Sequence, residues 1–284
     1  MLQDAPSRTA HRVAMHRAAH QLLDDPRIFD DPLAISISGL GAASERRAQA
    51  GRLDTRTARY LRAFIAVRSR YAEDQLAAAI GHGVRQYVVL GAGLDTYAYR
   101  RPHPADALRV FEVDHPATQL WKKERLAHAS IPIPESLTFV PVDFEHQMLA
   151  AEMARAGFRT GQAAFFAWLG VVMYLTLEAA SSTLAFIGSL PAGSGVTFDY
   201  ALARNALTGA ERMAAGALAA RVARAGEPFR LFFEPAGLAG LLGGLGFGRL
   251  EDLGAAEING RYFQDRTDGL HIGGGLAHLM TAWR

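Results

Sequence analysis

The stretch QYVVLGAGLDT, residues 86–96, decides the fold of this chain. Its first five residues form a compact apolar run with β-branched side chains, which is typical of a strand buried on both faces. A turn with Gly91 and Gly93 follows at once, and glycines directly after a strand let backbone N–H groups approach a ligand. The stretch therefore predicts the first half of a nucleotide-binding site in an α/β fold.

An acid at the end of the next strand completes this pattern. Asp114 ends the run LRVFEVD, about 20 residues after the turn, which is the spacing of an acid that binds ribose hydroxyls. Alternatively, Asp114 caps a helix whose first turn contains Pro116. Thr96 stands where a dinucleotide fingerprint needs its third glycine, and Asp95 would repel a pyrophosphate, so NAD and FAD are disfavoured. A sulfonium cofactor with an amino-acid tail offers a cation instead.

Further apolar runs continue along the chain, separated by segments with helical spacing. This alternation predicts a doubly wound α/β fold around a mostly parallel sheet of seven strands. Besides residues 86–90, we expect strands at Leu108–Val113, Leu137–Val142, Ala164–Tyr174, Val196–Tyr200, Arg249–Leu253 and Ala277–Trp283. The last two are expected to pair antiparallel at the sheet edge.

Helical segments lie mainly near the N-terminus and after the fifth strand. Residues 8–40 are amphipathic and are interrupted by two Asp-Pro pairs, because proline disfavours helix at its own position and just before it. Further helices are expected at residues 58–80, 202–226 and 235–244. Because the chain has no internal repeat or linker, we expect a single domain of residues 1–284, with a helical cap at 1–60 and a helical insertion at 201–228.

Composition limits the function. The 284 residues include 30 Lys+Arg and 28 Asp+Glu, and the one basic cluster, residues 8–20, is expected to be a solvated helix face, so nucleic acid is not an expected partner. The chain has no cysteine, which excludes disulfides, thiolate metal sites and cysteine nucleophiles. His16 and His20 lack the glutamate of an HExxH motif, so no metal site is expected. Without a signal peptide or a membrane-spanning stretch, a cytoplasmic protein is expected.

Four motifs, in order, resemble the leucine carboxyl methyltransferase family and its bacterial polyketide O-methyltransferase branch. They are QYVVLGAGLDTYAYR at residues 86–100, FEVDHP at 111–116 with Lys122 soon after, PVDFE at 141–145 and AWLGVVMYLT at 167–176. The segments DDPLA at 30–34, GEPF at 226–229, LLGGLGF at 241–247 and INGRYF at 258–263 extend the match over nearly the whole chain. The resemblance implies a class I methyltransferase fold with S-adenosylmethionine as cofactor and a small-molecule methyl acceptor.

The resemblance also implies roles for individual residues. Arg68 matches the arginine that holds the methionine carboxylate of the cofactor, although a surface position on its helix is an open alternative. Asp114 matches the ribose-binding acid, and Asp143 with Phe144 matches the pair that flanks the adenine. The cofactor-binding residues so implied are Arg68, Gly91, Ala92, Gly93, Asp114, Asp143, Phe144 and the residue at position 169, Leu169.

Leu169 departs from the family pattern. The family has Trp-Glu-Gly before the MYL segment, whereas this chain has Trp168-Leu169-Gly170. An acid that would line the cofactor site near the methionine amino group is therefore missing. A catalytically silent homologue that binds the cofactor is thus an alternative to an active enzyme, and a nicotinamide oxidoreductase is a less favoured one.

Candidates for a catalytic role are few. His115 adjoins Asp114 and is a candidate general base, or alternatively a polar residue at a helix start. Tyr174 and Tyr200 end the fourth and fifth strands and are candidates for positioning an acceptor in one crevice, or else packed aromatic residues. Because a sulfonium methyl is already activated and no base is obvious, we expect O-methylation of a carboxylate or acidic hydroxyl. The apolar cap suggests a small, hydrophobic, polyketide-like acceptor.

Overall fold

Seven strands form one sheet at the centre of the protein. The computed structural model describes residues 7–41, 43–101, 103–104, 106–224 and 228–284. The strands are β1 (Gln86–Leu90), β2 (Arg109–Asp114), β3 (Leu137–Pro141), β4 (Phe165–Trp168), β5 (Gly195–Ala201), β6 (Arg249–Leu253) and β7 (Ala277–Trp283). Their order is β3-β2-β1-β4-β5-β7-β6, and only the pairs that involve β7 are antiparallel. The predicted mostly parallel α/β sheet with an antiparallel edge is confirmed.

Helices lie between the strands and over the N-terminal part of the chain. Those of the described residues are α1 (Arg8–Leu23), α2 (Leu33–Ser38), α3 (Ala43–Gly51), α4 (Arg56–Gly81), α5 (Tyr97–Arg100), α6 (Pro116–His128), α7 (Leu149–Arg155), α8 (Leu177–Gly188), α9 (Gly209–Arg224), α10 (Pro235–Gly244) and α11 (Ala255–Tyr262). The two Asp-Pro pairs fall between α1 and α2, as the sequence predicts. Helix α4 covers the predicted stretch 58–80 and extends it slightly at both ends.

The fourth strand is shorter than its apolar pattern predicts. The run Ala164–Tyr174 is apolar throughout, but β4 covers only Phe165–Trp168. Gly170 adopts a φ of +73°, in the left-handed region that ends an extended strand, and a 3-10 turn follows at Val172–Tyr174. Hydrophobicity does not mark this boundary, because the turn is as apolar as the strand.

Apolar side chains cover both faces of the sheet. The strands β1, β4 and β5 are buried along their whole length. Phe166, Trp168 and Phe198 belong to the cluster on one face, while Tyr87 and Phe165 belong to a second cluster that includes side chains of α4. Each such side chain contributes about 1.5–3 kcal/mol when fully buried. The sheet is therefore a packed platform whose carboxyl-end loops can hold functional groups in place.

Buried polar contacts fasten α1 and the loop after it to α4. Arg62 donates two hydrogen bonds of 2.8 Å to the Asp24 carboxylate, and Nδ1 of His20 lies 2.7 Å from the same group. Nε2 of His20 accepts the backbone N–H groups of Ile28 and Phe29. Burial alone would favour protonation of Asp24, but His20 and Arg62 lower its pKa to about 2. The Asp24 carboxylate is thus ionised throughout the neutral pH range.

Parts of the predicted helical segments lie outside the described residues. These are residues 1–6 and 42 of the cap and residues 225–227 of the insertion, which include the predicted helix end at Gly226. The division of the chain into a cap and an insertion stays a prediction. None of the described helices combines the length and the hydropathy that a transmembrane segment requires.

The end of α8 packs closely on backbone at Gly188. A Cβ added there would lie 2.3 Å from the carbonyl oxygen of Leu245. We expect Gly188→Ala to lower the free energy of unfolding by about 1–3 kcal/mol, because overpacking forces the backbone to shift. The matched control is Gly240→Ala in α10, where an added Cβ meets nothing within 4 Å. The control should raise the free energy of unfolding by about 0.5–1 kcal/mol. Urea denaturation measures both, and equal effects would contradict this packing.

Candidate active site

A cavity of about 450 Å³ opens at the carboxyl ends of β1, β2 and β4, with residues of α1 and α4 in its walls. Ligands bind at this edge of open α/β sheets. The predicted cofactor-binding residues all line the cavity: Arg68, Gly91, Ala92, Gly93, Asp114, Asp143, Phe144 and Leu169. The fold therefore brings together residues as far apart in the sequence as Arg68 and Leu169.

The glycine turn after β1 forms part of the cavity wall. Gly91 and Gly93 have φ angles of +65° and +47°, a conformation that favours glycine. The N–H groups of Gly91 and Ala92 both donate to the carbonyl of Val113, at 2.8 and 3.1 Å, and so tie the turn to β2. A Cβ at Gly93 would lie 3.0 Å from the Cβ of Ala10 in α1. The turn is therefore held between β2 and α1.

Asp114 lies beside this turn. One carboxylate oxygen accepts the N–H of Gly93, and the other accepts the N–H of His115 at 2.7 Å. Burial raises the pKa of Asp114, and these two N–H groups oppose the rise. His115 caps α6, since its Nδ1 accepts the N–H of Ala117 at 3.3 Å, so the helix-capping alternative for Asp114 is wrong. The carboxylate retains acceptor capacity for hydroxyl groups that enter the cavity.

Arg68 of α4 forms a buried ion pair with Asp199 of β5. Nη1 of Arg68 donates to Oδ2 of Asp199 at 2.8 Å, and the side chains are 8% and 1% exposed. The second oxygen of Asp199 accepts the N–H of Gly170 in the turn after β4. The surface alternative for Arg68 is therefore wrong. The sequence signal for Asp199 was a lone acid directly after the uncharged run 179–198, inside an apolar strand.

Asp143 and Phe144 follow β3 at the cavity rim. Asp143 accepts the N–H of Glu145 at 3.0 Å and lies 2.9 Å from Nδ1 of His146. Burial favours the protonated form, but these two partners hold the pKa of Asp143 below its usual value. The ring centroid of Phe144 lies 6.5 Å from that of Trp168. This side of the cavity therefore offers an ionised carboxylate and an aromatic side chain.

Leu169 follows β4 and brings an apolar side chain to the cavity. It packs against the cluster that contains Tyr87 and Ala167. Three acids outside the implied cofactor set also line the cavity: Glu73 of α4, Asp95 of the glycine turn and Glu145 after β3. Glu73 is not evident from sequence because an acid on an amphipathic helix is more typical of a solvated face.

The three catalytic candidates lie in different surroundings. His115 and Tyr174 line the cavity, and the Tyr174 ring lies 5.3 Å from that of Phe229. Tyr200 is not one of the described residues that line the cavity. Its hydroxyl donates a hydrogen bond of 2.7 Å to Asp252 instead. Successive strand residues project to opposite faces, and on β5 it is Asp199 that faces Arg68. The prediction that Tyr200 shares a crevice with Tyr174 is therefore wrong.

Comparison with known proteins places this geometry in context. Residues 10–188 match the family of leucine carboxyl methyltransferases. A Bacillus subtilis (strain 168) protein, YktD, is 34% identical over an alignment 296 residues long, which covers 95% of each chain. A Parafrankia sp. (strain EAN1pec) protein, Franean1_4929, is 37% identical over 200 residues, which cover 68% of this chain and 63% of the relative. Both carry the name of an S-adenosyl-L-methionine-dependent methyltransferase.

A solved structure shares the architecture. The crystal structure of a DUF574 family protein from Streptomyces avermitilis superposes with a TM-score of 0.58. It covers 99% of this chain and 98% of its own, at 16% sequence identity. At that identity the likeness extends to the fold alone.

The ion pair of Arg68 with Asp199 is expected to be important for stability. We expect Asp199→Asn to lower the free energy of unfolding by about 3–5 kcal/mol, because the change leaves a buried guanidinium without its counter-charge. The control is Asp30→Asn, which removes an exposed pair with Arg27 and should change stability by less than about 1 kcal/mol. Urea denaturation followed by circular dichroism compares the two variants. Stability of the Asp199 variant equal to that of the control would show that the pair contributes little.

Proposed function

Because the chain belongs to the leucine carboxyl methyltransferase family, we propose that it transfers a methyl group to a carboxylate or acidic hydroxyl oxygen of a small, hydrophobic metabolite. The protein is an S-adenosylmethionine-dependent methyltransferase. The identity of the acceptor atom, the shape of the acceptor and the role of each site residue are inferred from the cavity.

The side chains that line the cavity fit the chemical parts of S-adenosylmethionine. Arg68 offers a guanidinium to a carboxylate, and Asp114 offers carboxylate oxygens to a pair of ribose hydroxyls. Phe144 offers an aromatic face to a base, with Asp143 beside it as a hydrogen-bond acceptor. Val171 packs where a side chain at Gly91 would lie, since an added Cβ there would be 2.3 Å from Cγ2 of Val171. We assign these residues to the cofactor in this arrangement.

When bound, the cofactor supplies a methyl group that is already activated on a sulfonium. The protein's part is then to align the acceptor oxygen and to exclude water. Helix α1 contributes Ala10 and Val13 to the cavity wall, and Arg17 donates a hydrogen bond of 3.1 Å to the carbonyl of Leu94, next to the glycine turn. These contacts support a role of α1 in shielding the reaction from solvent.

The choice of methyl acceptor depends on one observation, the hydrogen bond that His115 accepts from the backbone. Because Nδ1 of His115 accepts the N–H of Ala117, the proton of the neutral ring lies on Nε2, which is then a donor and not a base. The other histidine among the described cavity residues, His146, is 71% exposed and lies beside Asp143 at the rim. A carboxylate, with a pKa of about 4, is ionised at neutral pH without a base. The site therefore favours an acidic oxygen as nucleophile.

The remainder of the cavity suggests an apolar acceptor. Val13, Val171, Leu175 and Pro228 line it together with the ring of Tyr174. Of the insertion predicted at residues 201–228, Pro228 is the described residue that reaches the cavity. A wall of this kind favours a hydrophobic body, such as the aromatic acids or phenols of polyketide type that the bacterial branch suggests.

Calorimetry with S-adenosylhomocysteine tests the cofactor site. We expect Asp114→Asn to raise the dissociation constant by about tenfold or more, because a hydrogen bond to an ionised group is worth about 1.5–3 kcal/mol. The control is Glu152→Gln on α7, which is not among the described cavity residues and pairs with Arg155. Equal affinity of the folded Asp114 variant and the parent would contradict the ribose assignment.

Methyl transfer is tested with methyl-labelled S-adenosylmethionine and a panel of apolar carboxylic acids, phenols and amines. We expect label in an alkali-labile methyl ester, or in an alkali-stable ether where an acidic hydroxyl is the acceptor. Transfer to amines alone would contradict the proposed oxygen acceptor. Cofactor binding without transfer to any panel member would favour the silent homologue that Leu169 suggests.

A further inference from the structure

A connected set of buried charges joins α1, α4 and the segment after the glycine turn. Nε of Arg17 donates to Asp31 at 2.9 Å, and Nε of Arg100 lies 3.3 Å from the other Asp31 oxygen. Both terminal nitrogens of Arg100 donate to Glu73, one to each carboxylate oxygen. The Arg17, Asp31 and Arg100 side chains are at most 6% exposed, and Glu73 is 17% exposed. The charges of these two arginines and two acids balance.

Asp95 adds a third carboxylate to this set. It lines the cavity together with Glu73, and its Oδ1 accepts the N–H of Tyr97 at 2.8 Å. Among the described residues, no basic nitrogen lies within 4.0 Å of the Asp95 carboxylate. The cluster therefore has three negative and two positive side chains, and the surplus charge faces the cavity.

The pKa of Glu73 reflects this surplus of negative charge. Burial raises the pKa of Glu73, Arg100 opposes the rise, and the neighbouring Asp95 and Asp31 carboxylates add to it. Although Arg100 stabilises the Glu73 carboxylate, the ionised form is still less stable here than in water. A cation that entered the cavity beside Glu73 would lower its pKa and gain a strong interaction in this low-dielectric setting.

The amino-acid tail of S-adenosylmethionine carries such a cation. Its carboxylate is assigned to Arg68 under the proposed function, on which this inference rests. Glu73 follows Arg68 by five residues on α4, about 7.5 Å along the helix axis, and both residues line the cavity together with Leu169. We propose that Glu73, oriented by Arg100, binds the ammonium group of the cofactor in place of the acid that position 169 lacks.

Glu73 is preferred to Asp95 because of how each carboxylate is held. Asp95 accepts the N–H of Tyr97 within its own turn and so helps to begin α5. Glu73 projects from the long helix α4 and is fixed by a buried arginine that also holds Asp31. Asp95 acts from a distance, by increasing the negative potential around Glu73.

The test compares two ligands that differ only in the amino group. Glu73→Gln preserves the side-chain shape but removes its charge. We expect the variant to bind S-adenosylhomocysteine about tenfold or more weakly, as measured by calorimetry. Binding of the deaminated analogue, in which hydrogen replaces the amino group, should change by less than about threefold. Asp74→Asn is the matched control, because Asp74 is the next residue of α4, pairs with Arg70 and is not among the described cavity residues; it should leave both affinities unchanged.

Other outcomes separate this assignment from the proposed function. Equal weakening of both ligands by Glu73→Gln would show a purely structural role and overturn the assignment. An amino-group-specific loss in Asp95→Asn, with none in Glu73→Gln, would also overturn it. Unchanged binding of 5′-methylthioadenosine by the Glu73 variant verifies that the nucleoside part of the site is intact. Failure of the unaltered protein to bind S-adenosylhomocysteine would overturn the proposed function, and this assignment with it.

Discussion

The hydrogen bond from the N–H of Gly93 to the carboxylate of Asp114 is the contact on which the site depends. It joins the turn after the first strand to the end of the second, and it requires the left-handed glycine conformation at that turn. Ala10 of α1 packs on Gly93 from the other side. One carboxylate therefore fixes the turn that α1 covers, and it presents its remaining acceptor capacity to the cavity. In the proposed site, the Asp114 carboxylate thus serves both the architecture and the recognition of the cofactor.

Charge balance is the second principle of the site. Arg68 is matched by Asp199, and Asp199 also holds the turn at Gly170, so three segments of chain meet at a neutral buried pair. The buried charge cluster, by contrast, has one more negative than positive side chain: its acids are Asp31, Glu73 and Asp95, and its bases are Arg17 and Arg100. A cofactor with a cationic sulfonium and a zwitterionic amino-acid tail complements a cavity in which Arg68 is paired and one acid is in surplus. Under the proposed assignment, this complementarity would explain how a chain with leucine at position 169 can still bind such a cofactor.

The sheet and much of the lining of the candidate site could be predicted from the sequence, because strand periodicity and the spacing from glycine turn to acid are local properties. The strand β1 and the acid Asp114 are of this kind. The end of β4 could not be predicted, because an apolar turn at Gly170 has the same hydrophobicity as a strand. The orientation of Tyr200 and the role of Asp199 depend on which face of β5 meets α4, a long-range feature that no local pattern encodes. Glu73 is not evident from the sequence, because an acid on an amphipathic helix is typical of a solvated face and its partner Arg100 lies 27 residues further along the chain.

A crystal structure of the protein with S-adenosylhomocysteine tests the central claim most directly. The account predicts both ribose hydroxyls within hydrogen-bond distance of the Asp114 carboxylate and the tail carboxylate at the Arg68 guanidinium, with the Gly93 to Asp114 hydrogen bond retained. A ligand whose ribose lies away from Asp114, or an Asp114 that turns from Gly93 when the ligand binds, would contradict it.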